Sequence, residues 1–87
     1  LDKEGYLAVL QGYNNYANDF CLAYPDQFIG GACLPTTGID DAIAEMRRVR
    51  NKLPGLRTVS PAAFPNGSST PLPEDDRFYA EALDLAI

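Results

Sequence analysis

Two carboxylate clusters, Asp40/Asp41 and Glu74/Asp75/Asp76, are the residues of this chain best suited by type to acid–base work or to holding a metal. Each stands where a helical pattern begins, and carboxylates there accept hydrogen bonds from unpaired N–H groups and complement the helix dipole. Capping is the expected role of both clusters, and Asp26, after Pro25, reads as a turn residue. Cys21 and Cys33 lie in no CxxC or CxxxC motif, and the chain has no histidine to activate either thiol. Both read as small buried hydrophobes, one on a helix and one on a strand.

Other groupings are weaker still. Gly30-Gly31 belongs to no GxGxxG or GxxxxGK[ST] motif and lies inside an apolar run, which points to close packing rather than phosphate binding. Asn66-Gly67-Ser68-Ser69 could hold an anion with backbone amides, but its composition is that of a polar turn. Tyr6, Tyr13, Tyr16 and Tyr24 could stack a substrate, and their spacing equally suits a buried aromatic stripe, which is the expectation adopted.

The elements that must position these residues are legible in order. Apolar residues at Tyr6, Leu7, Leu10, Tyr13, Ala17, Phe20, Cys21 and Tyr24 predict a helix over about 2–24, with Asn14, Asn15, Asn18 and Asp19 on its other side. Pro25 ends it, and 24–27 form a turn. Phe28–Leu34 predicts a strand without polar alternation, hence buried on both faces. Thr37 as N-cap with Asp40 as its capping-box partner starts a helix over Ile39–Leu53, stopped by Pro54-Gly55 with Gly55 as a left-handed cap. Arg47, Arg48, Arg50 and Lys52 then complement the dipole at its C-terminal end. Leu56–Ser60 is a second strand inside an apolar run that reaches Phe64, with Pro61 marking a bulge or its last paired residue. A loop over 64–73 leads to a final helix carrying Phe78, Tyr79, Ala82, Leu83 and Ala86 inward.

Strand, helix, strand with short turns is the pattern of a βαβ crossover and a parallel sheet. Such a pair needs more strands beside it, and 87 residues supply only two clear ones. The chain starts on Leu1 and stops at Ile87 within a helical pattern, so both ends read as cut. Seven basic against twelve acidic residues give a net charge of −5, which leaves no electrostatic footprint for nucleic acid. No stretch has the length and apolarity of a membrane span or signal peptide, and a reducing cytoplasmic setting is expected.

Tyr24-Pro-Asp-Gln-Phe-Ile-Gly-Gly-Ala-Cys-Leu-Pro35 resembles the "YPDRFxGxAxLP" strand of the amidohydrolase-related family, the second amidohydrolase family. Ile39-Asp-Asp-Ala-Ile-Ala-Glu-Met-Arg-Arg48 is similar to its following "AxxELRR" helix. Leu53-Pro-Gly-Leu-Arg-Thr-Val-Ser60 is similar to its "GxxGVxL" strand, and Pro73-Glu-Asp-Asp-Arg-Phe-Tyr79 to its "DDPRFxPxW" helix start. Four motifs in order cover about 15–87. The resemblance implies an α/β fold, an α-β-α-β-α fragment of a (β/α)8 TIM barrel with parallel strands, and residues 1–87 as a single partial domain.

It further implies a parent enzyme that uses a divalent metal, zinc, to hydrolyse or decarboxylate a small carboxylated or cyclic substrate. The family's metal-ligating histidines have no counterpart here, so no catalytic or metal residue is assigned and the isolated fragment should bind no metal and be inactive. What remains is Leu34, Pro35, Phe64, Pro65 and Asn66 as substrate-lining positions, since they follow strand ends where barrel sites are built. The rival reading is a small non-catalytic α/β interaction or binding module. As a fragment with exposed sheet edges the chain is expected to be marginally stable and to associate when isolated, while the module would need a homo-oligomer or a partner to cover those edges.

Overall fold

A computed structural model describes residues 2–27, 30–61 and 64–87. Its elements are α1 (Lys3–Ala23), β1 (Gly30–Leu34), α2 (Ile39–Lys52), β2 (Leu56–Pro61) and α3 (Asp75–Leu85). β1 and β2 form a two-stranded parallel sheet, with Ala32 opposite Val59, Cys33 opposite Ser60 and Leu34 opposite Pro61. Among the described residues Pro61 is the last one paired, and the irregularity in register lies between Gly30 and Gly31 rather than at the proline. Phe28 and Ile29, placed in the first strand by the sequence, and Ala62 and Ala63, from the second apolar run, lie outside the described residues.

The core sits on one face of the sheet. Leu34, Ile39, Ala42, Ile43, Met46 and Phe78 form one buried cluster, and Ala32, Val49, Leu53 and Leu56 form another. The α2 stripe is the one read from the sequence. Residues two apart on a strand share a face, so Gly31 and Cys33 point the other way, towards Thr58 and Ser60. A Cβ on Gly31 would lie 3.0 Å from Thr58 Oγ1 and 3.7 Å from Ser60 Oγ. Gly31, Thr58 and Ser60 are exposed and Cys33 half-buried, so β1 is not buried on both faces. That expectation is corrected: an unalternating run of glycine, alanine and cysteine hides which side is covered.

α1 is rotated relative to the reading above. Its buried residues are Asn14 and Asn18, flanked by half-buried Tyr6, Leu7, Leu10, Ala17 and Cys21. Tyr13, Tyr16, Phe20 and Tyr24 are exposed. The asparagines turn inward because strand backbone needs partners. Asn14 Nδ2 donates to the Cys33 carbonyl (2.8 Å) and to Glu45 Oε2 (2.7 Å), while Asn14 Oδ1 accepts from Cys33 N–H (2.9 Å). One amide therefore satisfies both backbone groups of a residue on the outer edge of β1, in the manner of a neighbouring strand. Asn18 Oδ1 accepts from Gly55 N–H at 2.7 Å.

Gly55 has no positive φ, and the left-handed cap expected there is replaced by contact with α1. A Cβ at 55 would lie 2.6 Å from the Asn18 carbonyl oxygen. α2 ends instead at Leu53, whose N–H bonds Val49 O. At its start the N-cap is Gly38, with φ 130°, not Thr37. The Thr37 hydroxyl bonds the Asp41 carboxylate instead, and Asp40 pairs with Arg77 of α3. The arginines of α2 do more than complement a dipole. Arg48 clasps Glu45 through Nε and Nη2, each at 2.8 Å, and reaches Asn15 on α1. Arg47 pairs with Glu81 at 2.6 Å, and Arg50 Nε donates to the Leu85 carbonyl at 2.7 Å.

α3 buries Phe78 and packs Ala82, Leu85 and the following Ile87 on the core. Tyr79, Leu83 and Ala86, expected inward, are exposed: a helix that points 78 and 82 to the core turns 79 and 83 away, and Ala86 is the left-handed cap beyond its last residue.

Two substitutions check this packing. Gly30→Ala would put a Cβ 2.7 Å from Cys21 Sγ, Gly55 O and Leu56 Cδ2. It should cost roughly 2 kcal/mol or more in urea unfolding, because one obstacle is backbone and the other two are side chains packed in from α1 and β2. Asn14→Ala leaves the Cys33 backbone without its partner and takes one hydrogen bond from Glu45 Oε2, which keeps that of Arg48. It should cost about 3 kcal/mol and speed amide exchange at Cys33.

Candidate functional site

The loops at the C-terminal ends of the two strands are the place where a parallel α/β sheet builds sites. The first begins at Pro35 and runs to Gly38; the second spans 64–73. They are locked together. Gly67 adopts φ 94°, and a Cβ there would lie 2.2 Å from the Thr36 carbonyl oxygen, so this position takes glycine for both conformation and space. From the other side Tyr6 of α1 closes in, its hydroxyl accepting from Thr36 N–H at 3.2 Å.

Asp75 organises the second loop. It is 4% exposed, and its carboxylate accepts from Asn66 N–H (2.8 Å), Asn66 Nδ2 (2.9 and 3.0 Å) and Leu72 N–H (2.9 Å). The N-cap of α3 is Glu74, without a side-chain cap bond, so Asp75 holds the preceding loop rather than the helix end. Asn66 in turn donates to Thr70 O (3.1 Å) and accepts from Ser68 N–H (2.8 Å). The polar-turn reading of 66–69 matches these bonds.

Of the five positions expected to line a substrate pocket, Leu34 buries its side chain with Ile39, Ala42, Ile43, Met46 and Phe78. Asn66 is committed to Asp75, Thr70 and Ser68. Pro35 and Pro65 are buried, and Phe64 is 38% exposed. The structure thus brings the two loops to one end of the sheet, while the side chains of Leu34 and Asn66 serve the scaffold. Leading up to those loops is the uncovered sheet face of Gly31, Cys33, Thr58 and Ser60. The sequence reading passed over it. Thr58 and Ser60, two apart in a strand, were the available signal, masked by the irregular register between Gly30 and Gly31.

Small hydroxyl and thiol groups on that face can orient a polar ligand by hydrogen bonding. Cys21 and Cys33 are free thiols, both half-buried. Among the described residues no group of three histidine, cysteine or carboxylate side chains is placed to hold a metal, and no helix is long and apolar enough to cross a membrane. Clefts elsewhere run between helices, one lined by Asp40, Ile43, Ala44, Arg47, Arg77 and Glu81. The chain matches no family model, no curated protein and no solved structure.

Electrostatics near the first loop is set by Asp41. The Thr37 hydroxyl hydrogen bond, assisted by Lys3 at 3.1 Å and opposed by partial burial, holds its carboxyl below the usual carboxylate range. Glu81 is likewise lowered, by its hydrogen bond from Arg47. A carboxylate with a depressed folded-state pKa stabilises the fold above its unfolded value and stops doing so as pH falls through the folded one. Urea midpoints should therefore hold near neutrality and drop below about pH 4, the unfolded carboxylate range. In Thr37→Val the part of that drop owed to Asp41 should shrink.

Proposed function

We propose that this chain is an internal segment of a metal-dependent amidohydrolase-related barrel enzyme, acting by hydrolysis or decarboxylation on a small carboxylated or cyclic substrate. The observation that carries the reading is the division of the sheet into two unlike faces. Helices pack on the face of Ala32 and Leu34, and no described helix covers the face of Gly31, Cys33, Thr58 and Ser60. In a closed barrel of parallel strands one face of every strand meets the helical ring and the other meets the interior. Small residues inside leave room for side chains of other strands and for a substrate. The joined loops at the C-terminal strand ends are then part of the rim of the site.

On this reading the segment supplies scaffold and wall. A divalent metal, zinc, would be held by histidines of the parent outside these residues, where it would supply water activation or substrate polarisation. Thr58, Ser60 and Cys33 contribute hydrogen-bonding groups to the wall, and Phe64 an apolar edge.

A second reading, a small non-catalytic α/β binding module, is favoured by one feature. Asn14 occupies both backbone groups of Cys33 on the edge where a barrel would place its preceding strand. The flanking reading frame separates the two. An HxH pair upstream and a strand-borne histidine downstream, with one-to-one zinc binding by the extended protein and none by residues 1–87, is the expected result. Flanks without histidines, or nanomolar zinc binding by the 87 residues alone, would favour the module.

A further inference from the structure

The loop between β2 and α3 carries a reactive pair of residues. Of the asparagines Asn14, Asn15, Asn18, Asn51 and Asn66, only Asn66 is followed by glycine. Asparagine is a thermolabile residue, and most so before glycine, where no side chain shields the next backbone nitrogen and the chain bends freely. In that reaction the nitrogen attacks the side-chain carbonyl carbon. The bond between Gly67 N and Asn66 Cγ forms, the Cγ–Nδ2 bond breaks, and Nδ2 leaves as ammonia with the proton that Gly67 N–H gives up. Water then opens the cyclic imide at either carbonyl, which leaves aspartate or isoaspartate at position 66.

The folded loop opposes both movements that this chemistry needs. Gly67 N–H donates to the Phe64 carbonyl at 2.8 Å and so holds its proton. The Asn66 side chain is fixed at both of its ends. Its Oδ1 accepts from Ser68 N–H at 2.8 Å, and its Nδ2 donates to Asp75 Oδ1 and Oδ2 at 3.0 and 2.9 Å and to the Thr70 carbonyl at 3.1 Å. Asp75, buried and acceptor-only as a carboxylate, also takes the N–H groups of Asn66 and Leu72. Such a cradle receives an amide and refuses an acid. An aspartate at 66 would bring a second carboxylate to within about 3 Å of the first, a spacing at which two like charges do not both persist.

We propose that Asn66 is a deamidation site that acts as a one-way latch on the second loop. While the loop is closed, Asp75 keeps residue 66 as the amide. Once it opens long enough for Gly67 N to reach Cγ, the amide is lost, and the acid formed does not return to Asp75. Gly67 then leaves the Thr36 carbonyl against which it packs, and the first loop loses that support. Asp75 is the first residue of α3, so the change reaches the start of that helix. α2, anchored in the core through Met46 and Val49, stays in place. The only reagent is water. The latch is independent of the proposed function, since it needs this loop alone, and its failure would show in peptide masses rather than in zinc binding.

Peptide mapping by mass spectrometry of the 87-residue chain, kept in mildly alkaline buffer with and without denaturing urea, tests the latch. In urea Asn66 should deamidate faster than any other asparagine. In buffer alone it should do so at least about tenfold more slowly, because the closed loop must first give up its hydrogen bonds to a charged group. Asn66→Asp supplies the product directly. In that variant amide exchange at Gly67 and Leu72 should quicken by about tenfold or more, while exchange at Met46 and Val49 holds at the wild-type rate. Equal deamidation rates in buffer and in urea would overturn the proposal. So would an Asn66 no faster than the other asparagines in urea, or an Asn66→Asp chain with wild-type exchange at Leu72. Protection lost at Met46 and Val49 together with the loop would overturn it as well, since residue 66 would then hold the whole fold and not a latch.

Discussion

The amide of Asn14 is the joint on which the structure turns. A parallel pair of strands leaves one backbone edge of β1 unpaired, and an unpaired N–H and C=O shut away from water are costly. Asn14 answers both groups of Cys33 and spends its remaining hydrogen on Glu45, which Arg48 neutralises. α1, β1 and α2 are thus tied by one continuous polar chain. Glu45 is 4% exposed and Asn14 fully buried, and no buried side-chain polar atom among the described residues lacks a partner. Satisfied networks of this kind fix relative orientation more sharply than an apolar contact, which tolerates sliding. The guanidinium of Arg48 binds its proton more firmly than usual because it donates to that carboxylate.

The central crossover was legible because its signals agree with one another. Ile39, Ala42, Ile43, Met46 and Val49 follow a single helical stripe, and the flanking runs are too short and too apolar for anything but strands. α1 was not, because two different stripes run along it at the same period. One is aromatic, the other carries asparagines among half-buried apolar residues, and periodicity cannot say which faces inward. Hydropathy chose the aromatic one, while the need of the β1 edge for hydrogen bonds chose the other. Gly55 and Asp75 were misread for a related reason. Each sits where a local rule gives it a role at a helix end, yet each serves a distant segment: Gly55 makes way for α1, and Asp75 gathers the loop before it.

The two loops at the strand ends were legible in the sequence, and the directions of the side chains around them were not. Loops after parallel strands could be located from the order of elements, and the structure does bring them together. The side chains nominated there were chosen by position alone. Leu34 alternates inward with Ala32 and so belongs to the core. Thr58 and Ser60 alternate outward but sit beside an irregular register that blurs a period-two pattern. In both strands the pleat, rather than nearness to the strand end, decides which residues face the open side of the sheet.

Gly67 rests its bare α-carbon on the backbone of Thr36, with its own φ in the left-handed region. The two loops consequently behave as a single part with a shared seam. An insertion that lifted the shorter loop would open a gap beneath the longer one, and any larger residue at 67 would push the shorter one aside. Diversity at this rim must therefore come in matched pairs, so that a designer transplanting one loop from a related scaffold would have to transplant its neighbour as well.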